Sequence, residues 1–233
     1  MVFAMIAGRC HPGCMPKTVA FPRHAASLIL WRSRAGGEIE ILMGLRHAGH
    51  RFMPSRLVFP GGRVDFGDRT APAATEPLPA TLAALERAAP PRLARALAMA
   101  AARELEEETG LTLAPPGQAA PALDVLDYVC RAVTPASMSM RFNARFLSAP
   151  AEAARGSLAG CGELERIDWF TLEEAAGAPL APITARVLEQ FAACMALPPA
   201  QRAARPLICF QGHDRMLPER QSAPARRPAS RVG

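Results

Sequence analysis

Arg103-Glu104-Leu105-Glu106-Glu107-Glu108-Thr109-Gly110-Leu111 places four glutamates within five residues, just before a glycine. On a helix, positions 104, 107 and 108 are related as i, i+3 and i+4, so three carboxylates share one face and repel one another. Glu106 points elsewhere. Negative side chains in a last helical turn also oppose the macrodipole, which favours cations there. A divalent cation reverses the sign of both effects. Hard oxygen ligands converging at a helix end suit Mg²⁺ or Mn²⁺, which keep several waters and also hold substrate phosphates. The stretch points to metal-assisted phosphate chemistry.

Upstream of it, Pro91 is a suitable first-turn residue, and Leu93, Leu97, Ala101 and Leu105 recur every four residues as an apolar stripe. Gly110 then ends the helix at its C′ position. Further towards the N-terminus, Ala25–Arg32 and Glu38–Leu45 flank Gly36-Gly37 and are predicted to pair as a hairpin. Leu57-Val58-Phe59 runs into Pro60-Gly61-Gly62, where the strand stops. Residues 69 to about 90 are rich in Ala and Pro, look inserted, and hold one short helix around Leu82–Arg87. Beyond the acidic helix, Val125–Val133, Met138–Leu147 and Glu163–Phe170 are strand candidates. Helices follow at Leu172–Ala176 and Ile183–Met195, then a short strand at Leu207–Phe210. Hairpins alternating with helices predict an α/β sandwich on a mixed sheet. No repeat at a fixed period is present, which excludes solenoids.

The 233 residues, 50% of them hydrophobic, suit one decorated domain with a sizeable core. No apolar run reaches the roughly 18 residues that span a bilayer, and Val2–Ala7 is too short for a secretory signal, so a soluble cytoplasmic protein with no membrane partner is expected. Cys10, Cys14, Cys130, Cys161, Cys194 and Cys209 lack paired spacing and read as reduced thiols; Cys10, His11 and Cys14 have no second ligand pair for zinc. Much of the net charge of +6 sits in Arg220, Arg226, Arg227 and Arg231 among Pro, Ser and Ala, a solubilising tail without the aromatic interleaving of a nucleic-acid platform.

Read as a motif, the opening stretch resembles the second half of the Nudix box, Gly-x5-Glu-x7-Arg-Glu-U-x-Glu-Glu-x-Gly-U, at every specified position from Arg103 to Leu111. Counting back without a gap puts Arg95 where the family has glutamate and Ala89 where it has glycine. Starting instead at Gly62 puts Asp68 at the glutamate position, with 34 residues before Arg103 where the family has seven. The string Phe59-Pro60-Gly61-Gly62-Arg63-Val64-Asp65-Phe66-Gly67-Asp68 resembles the FPGGxxDxxD pattern of Nudix enzymes acting on coenzyme A derivatives, and a split box resembles their acyl-CoA diphosphatase branch. The upstream HxGQV element of some relatives is missing; Arg56-Leu57-Val58 stands there.

The resemblance implies a Nudix-like α/β/α sandwich over residues 22–198, with 69–102 holding the insertion and the start of the helix. A leader at 1–21, a packed extension at 199–217 and a basic tail at 218–233 complete the expected organisation. It implies a hydrolase that uses Mg²⁺ or Mn²⁺ to cleave the phosphoanhydride of a nucleoside diphosphate linked to another moiety, CoA or acyl-CoA leading. The alternatives are an ADP-ribose or dinucleotide pyrophosphatase, or a non-catalytic Nudix-fold nucleotide-binding regulator. Metal ligands are expected at Glu104, Glu107, Glu108 and, through backbone, at Gly61 or Gly62. Arg103, four residues before Glu107, is expected to orient it. Asp68 is either a site residue or a turn cap. A later carboxylate, Glu163 in preference to Glu165, is expected as ligand or base, with Glu104 a third candidate base. Arg46, His47, His50 and Arg51, and later Arg141 and Arg145, are candidate substrate contacts. The partner is a small nucleotide, with a homodimer compatible and no specific nucleic acid.

Overall fold

The computed structural model describes residues 20–219 except 48, 50–53, 161, 203 and 213–214. The readings of Cys10, His11, Cys14, His50, Arg51, Cys161 and the arginines from Arg220 onward lie outside the described residues.

In chain order the strands and helices are β1 (Arg23–Ser33), β2 (Ile39–Arg46), β3 (Leu57–Val58), β4 (Gly61–Arg63), α1 (Pro79–Glu86), α2 (Pro91–Thr109), β5 (Leu111–Thr112), β6 (Asp127–Val133), β7 (Phe142–Pro150), β8 (Arg155–Gly156), β9 (Leu164–Thr171), α3 (Leu172–Gly177), α4 (Pro182–Met195), α5 (Pro199–Arg202), β10 (Ile208–Gln211) and β11 (Arg215–Pro218). The main sheet runs β11-β10-β6-β7-β1-β2-β3, with β4 also on β1 and β9 also on β2. It is mixed: β1 is parallel to β7 and β10 to β6, while β1–β2, β1–β4, β2–β9 and β6–β7 are antiparallel. β5 and β8 pair separately.

Alternation along β1 explains the layers. Ala26, Leu28 and Leu30 face a core shared with α1 and α2 through Leu85, Leu93, Leu97 and Leu105. Ile29 lies in a second core with Val187, Leu188 and Phe191 of α4 and Ala175 of α3. The expected α/β/α sandwich is therefore the observed one. Among the described residues no helix is long and apolar enough to cross a membrane, and Cys130, Cys194 and Cys209 are buried free thiols.

Helix α2 starts at Pro91 and stops at Gly110, whose φ of 73° is left-handed and whose N–H donates to the Glu106 carbonyl at 2.9 Å. A Cβ there would sit 2.8 Å from the Ser157 carbonyl, so glycine meets both demands at once. Ala94 and the run from Ala96 to Ala102 are buried, not only the predicted stripe. The chain on its outer side causes this: Arg95 donates to both oxygens of Glu76 and to the Ala71 carbonyl, and Thr75 donates to Asp124 at 2.6 Å.

Several boundaries differ from expectation, the short helix α1 among them, which starts at Pro79. β6 begins at Asp127 because Leu123–Leu126 form a turn, and β7 begins at Phe142 because Pro135–Met138 form another. Pro218 ends β11 and Glu219 is buried, so these two residues belong to the fold rather than to a tail. The Glu219 carboxylate contacts the Tyr128 hydroxyl and lies 2.6 Å from Arg131 Nε. Truncating fully buried Leu97 to Ala is expected to cost about 2–5 kcal/mol. Urea unfolding would show it as a lower midpoint at unchanged slope.

Candidate active site

The acidic end of α2 meets the turn between β3 and β4. Gly61 and Gly62 are carried there by antiparallel pairing of β4 with β1, Gly61 opposite Ser27 and Gly62 opposite Ala26. A Cβ on Gly62 would stand 2.3 Å from Glu104 Oε1, so the absence of a side chain is what admits that carboxylate against the strand. Gly61 N–H donates to Glu108 Oε2 at 2.9 Å. One glycine makes room for one glutamate, and the other holds the second through its backbone.

Arg103 gathers the remaining acids. Its Nη1 donates to Glu104 Oε1 at 2.9 Å and to Glu107 Oε2 at 2.7 Å. Its Nε donates to Asp68 Oδ1 at 2.9 Å, and Nη2 to Asp68 Oδ2 at 3.2 Å and to the Arg63 carbonyl at 2.9 Å. Asp68 is buried and also accepts from the Asp65 N–H at 2.7 Å. Partial burial works against the guanidinium charge, but the Asp68 and Glu104 carboxylates outweigh it and raise its pKa. Glu106 stands apart, accepting from the Thr112 hydroxyl at 3.1 Å.

Charge is unbalanced beside this hub. Glu108, 2% exposed, has its pKa raised to about 8, first by burial and then by Glu104 and Glu163, with the Gly61 N–H and Arg46 opposing. The pKa of Glu104 is raised by burial, against Arg103, with Glu107 and Glu163 adding to the rise. Glu163, just before β9, thus acts on both, whereas Glu165 lies 3.3 Å from His47 Nε2. His47 meets both: its ring faces the Glu165 carboxylate, while its backbone N–H donates to the Glu163 carbonyl at 3.4 Å.

Residues 95–191 match the family model described as the NUDIX domain. Over that stretch the chain is similar to the NUDIX domain family. Among solved structures, the NUDIX hydrolase of Alicyclobacillus acidocaldarius superposes with a TM-score of 0.61 at 24% identity, covering 81% of this chain and 98% of that one. The NUDIX domain of Shewanella oneidensis NrtR, solved with ADP ribose, has a TM-score of 0.49 at 16% identity, covering 78% and 94%. The MutT NUDIX hydrolase of Burkholderia pseudomallei has a TM-score of 0.47 at 22% identity, covering 73% and 98%. No curated protein matches the chain. The family match and the superposition agree with the expected Nudix-like α/β fold.

The matched stretch begins at Arg95, so the glycine turn and Asp68 lie outside it and meet α2 through space. Glu104, Glu107, Glu108, Arg103, Gly61, Gly62, Asp68 and Glu163 surround one region. Two expected substrate contacts do not join them. Arg145 is fully buried, donating to the carbonyls of Ala88 at 2.6 Å and Asn143 at 2.9 Å, with His24 Nδ1 at 3.2 Å. It ties the α1–α2 junction to the sheet and reaches no solvent, which corrects its reading as a substrate residue. Arg141 donates to the carbonyls of Ala20 and Thr134, tying down the chain before β1. Arg46 lies close enough to act on Glu108. Sequence reasoning left open whether Asp68 is a site residue or a turn cap and found neither its fork with Arg103 nor the Gly61–Glu108 bond; a buried aspartate 35 positions away carries no local signal.

Among the described residues no three acidic, histidine or cysteine side chains converge as placed to hold a metal. Glu107 is turned to Arg103. The donor chemistry nevertheless fits a hard divalent cation: Glu104 and Glu108 are carboxylates whose burial and mutual repulsion a cation relieves, beside a glycine turn that leaves room.

The raised pKa of Glu108 has a definite sign in stability. Its contribution is full below the ordinary carboxylate pKa and is lost as pH rises through about 8. In chelator-treated protein, Glu108→Gln is expected to match the parent in Tm near about pH 5 and to exceed it by a growing margin towards about pH 9. A pH-independent difference in thermal melts would contradict this.

Proposed function

We propose that the chain is a Nudix hydrolase that cleaves the phosphoanhydride of a nucleoside diphosphate linked to another moiety, with CoA or acyl-CoA the leading substrate. The observation that carries the reading is the buried Glu108, held by the Gly61 N–H and facing Glu104 in a pocket of excess negative charge. Glu104, Glu108, Glu107 and a backbone carbonyl of the Gly61–Gly62 turn would hold Mg²⁺ or Mn²⁺. The cation supplies neutralisation of phosphate charge and a more acidic water.

The chain's own residues do the rest. Arg103 sets the rotamers of Glu104 and Glu107 while locking them to Asp68. Glu163, which acts electrostatically on both Glu104 and Glu108, is the proposed base. It takes a proton as the water oxygen bonds to phosphorus and the bridging P–O bond breaks. From CoA the products are 4′-phosphopantetheine and 3′,5′-ADP. The CoA preference rests on Phe59–Asp68 and the separation of the box halves. A non-catalytic regulator is disfavoured because the helix carboxylates are present.

Incubation with CoA, acetyl-CoA, ADP-ribose, NADH and dinucleoside polyphosphates, with Mg²⁺ or Mn²⁺, is expected to release phosphomonoester products and to do so fastest from CoA derivatives. Preference for ADP-ribose would move the assignment to the pyrophosphatase reading, and no turnover to the binding module. Glu107→Gln is expected to lower kcat by about a hundredfold or more while Glu106→Gln stays within about threefold. Equal losses would undo the separation of the two faces.

A further inference from the structure

One end of the sheet carries apolar side chains that the fold leaves in water. The β1–β4 pairing ends at Ala25 opposite Arg63, and the β1–β7 pairing begins at Arg23 opposite Phe142. Two backbone bonds carry these ladders outward: Val64 N–H to the His24 carbonyl at 3.0 Å, and Arg23 N–H to the Arg141 carbonyl at 2.9 Å. Residues 20–22, 64–66 and 138–140 therefore leave three neighbouring strands at the same end. Phe21 is 91% exposed, Phe66 81% and Met140 39%. Two exposed phenylalanines in a chain with ten are informative, because large apolar side chains are normally withdrawn from water.

Phe66 is held beside the site rather than on a loose loop. It lies two residues before Asp68, which Arg103 grips through two nitrogens, and three after Arg63, whose carbonyl Arg103 also engages. That is at most about 11 Å of chain from the arginine hub. The Arg69 guanidinium lies 5.7 Å from the ring centroid, and most of the ring remains in solvent. Arg69 is itself exposed, as are Arg63 and Asp65 of the same turn and Arg23 at the start of β1. An exposed aromatic ring with a guanidinium beside it, a few residues of chain from the carboxylate cluster, matches a flat base carried by an anion.

We propose that Phe66 is a substrate-binding residue on which the nucleotide base stacks, with Arg69 beside it answering the phosphate charge. The assignment rests on the hydrolase reading above and adds to it the means of recognising the nucleotide half. Stacking of one base predicts that Phe66→Ala raises KM about tenfold with kcat within about twofold. Because the ring is exposed, Tm should not change. Phe66→Trp is expected to keep the parent KM, and its added indole emission, beyond that of Trp31 and Trp169, to be quenched saturably by ADP. Unchanged KM in Phe66→Ala, or no quenching in Phe66→Trp, would overturn the proposal. So would concentration-dependent self-association in sedimentation that Phe66→Ala abolishes at unchanged KM, which would assign the face to a second copy of the chain. Saturable quenching without turnover of any substrate would remove the hydrolase reading and leave the base platform standing.

Discussion

One guanidinium organises this molecule's chemistry. Arg103 bonds Asp68, Glu104, Glu107 and the Arg63 carbonyl at once. Asp68 and Glu104 are largely withdrawn from water, so losing the cation would leave carboxylates buried and uncompensated, which is far costlier than losing an exposed pair. Asp68 fixes the turn after β4, the turn fixes Gly61 and Gly62, and the glycines fix Glu108 and make room for Glu104. The long segment between Asp68 and Arg103 can leave and return because both of its ends are gripped by the same interaction.

Beyond Arg103 the balance is left negative. Glu104 and Glu108 repel each other in a partly desolvated place and both feel Glu163. Such a cluster costs stability wherever no counter-charge offsets it. The structure around it is closely packed. An alanine-rich helix packs closely between sheet and outer chain, Arg145 braces the α1–α2 junction, and Glu219 joins the last strand to Tyr128 and Arg131.

Much of this was legible in local chemistry. The helix from Pro91 to Gly110, the facial grouping of Glu104, Glu107 and Glu108 against Glu106, the β1–β2 hairpin and the two late helices follow from periodicity, proline and glycine placement, which act over a few residues. The Arg103–Glu107 contact is of the same kind, a one-turn pair. The strand ends at Asp127 and Phe142 were less legible, because turns without glycine resemble strand in composition.

What the sequence by itself determined is the acidic face, its helix and the class of sandwich that buries the helix's apolar stripe. Only the tertiary structure decided which distant groups meet that face. It brought Asp68 to Arg103, placed Glu104 where a Gly62 side chain would have been, and set Glu163 against the glutamates while Glu165 met His47. It also buried Arg145, which charge alone had suggested for substrate. Each depends on strand register and on burial, and both are properties of the assembled sheet: the same arginine is a ligand contact in water and a brace under a helix, and only packing distinguishes them.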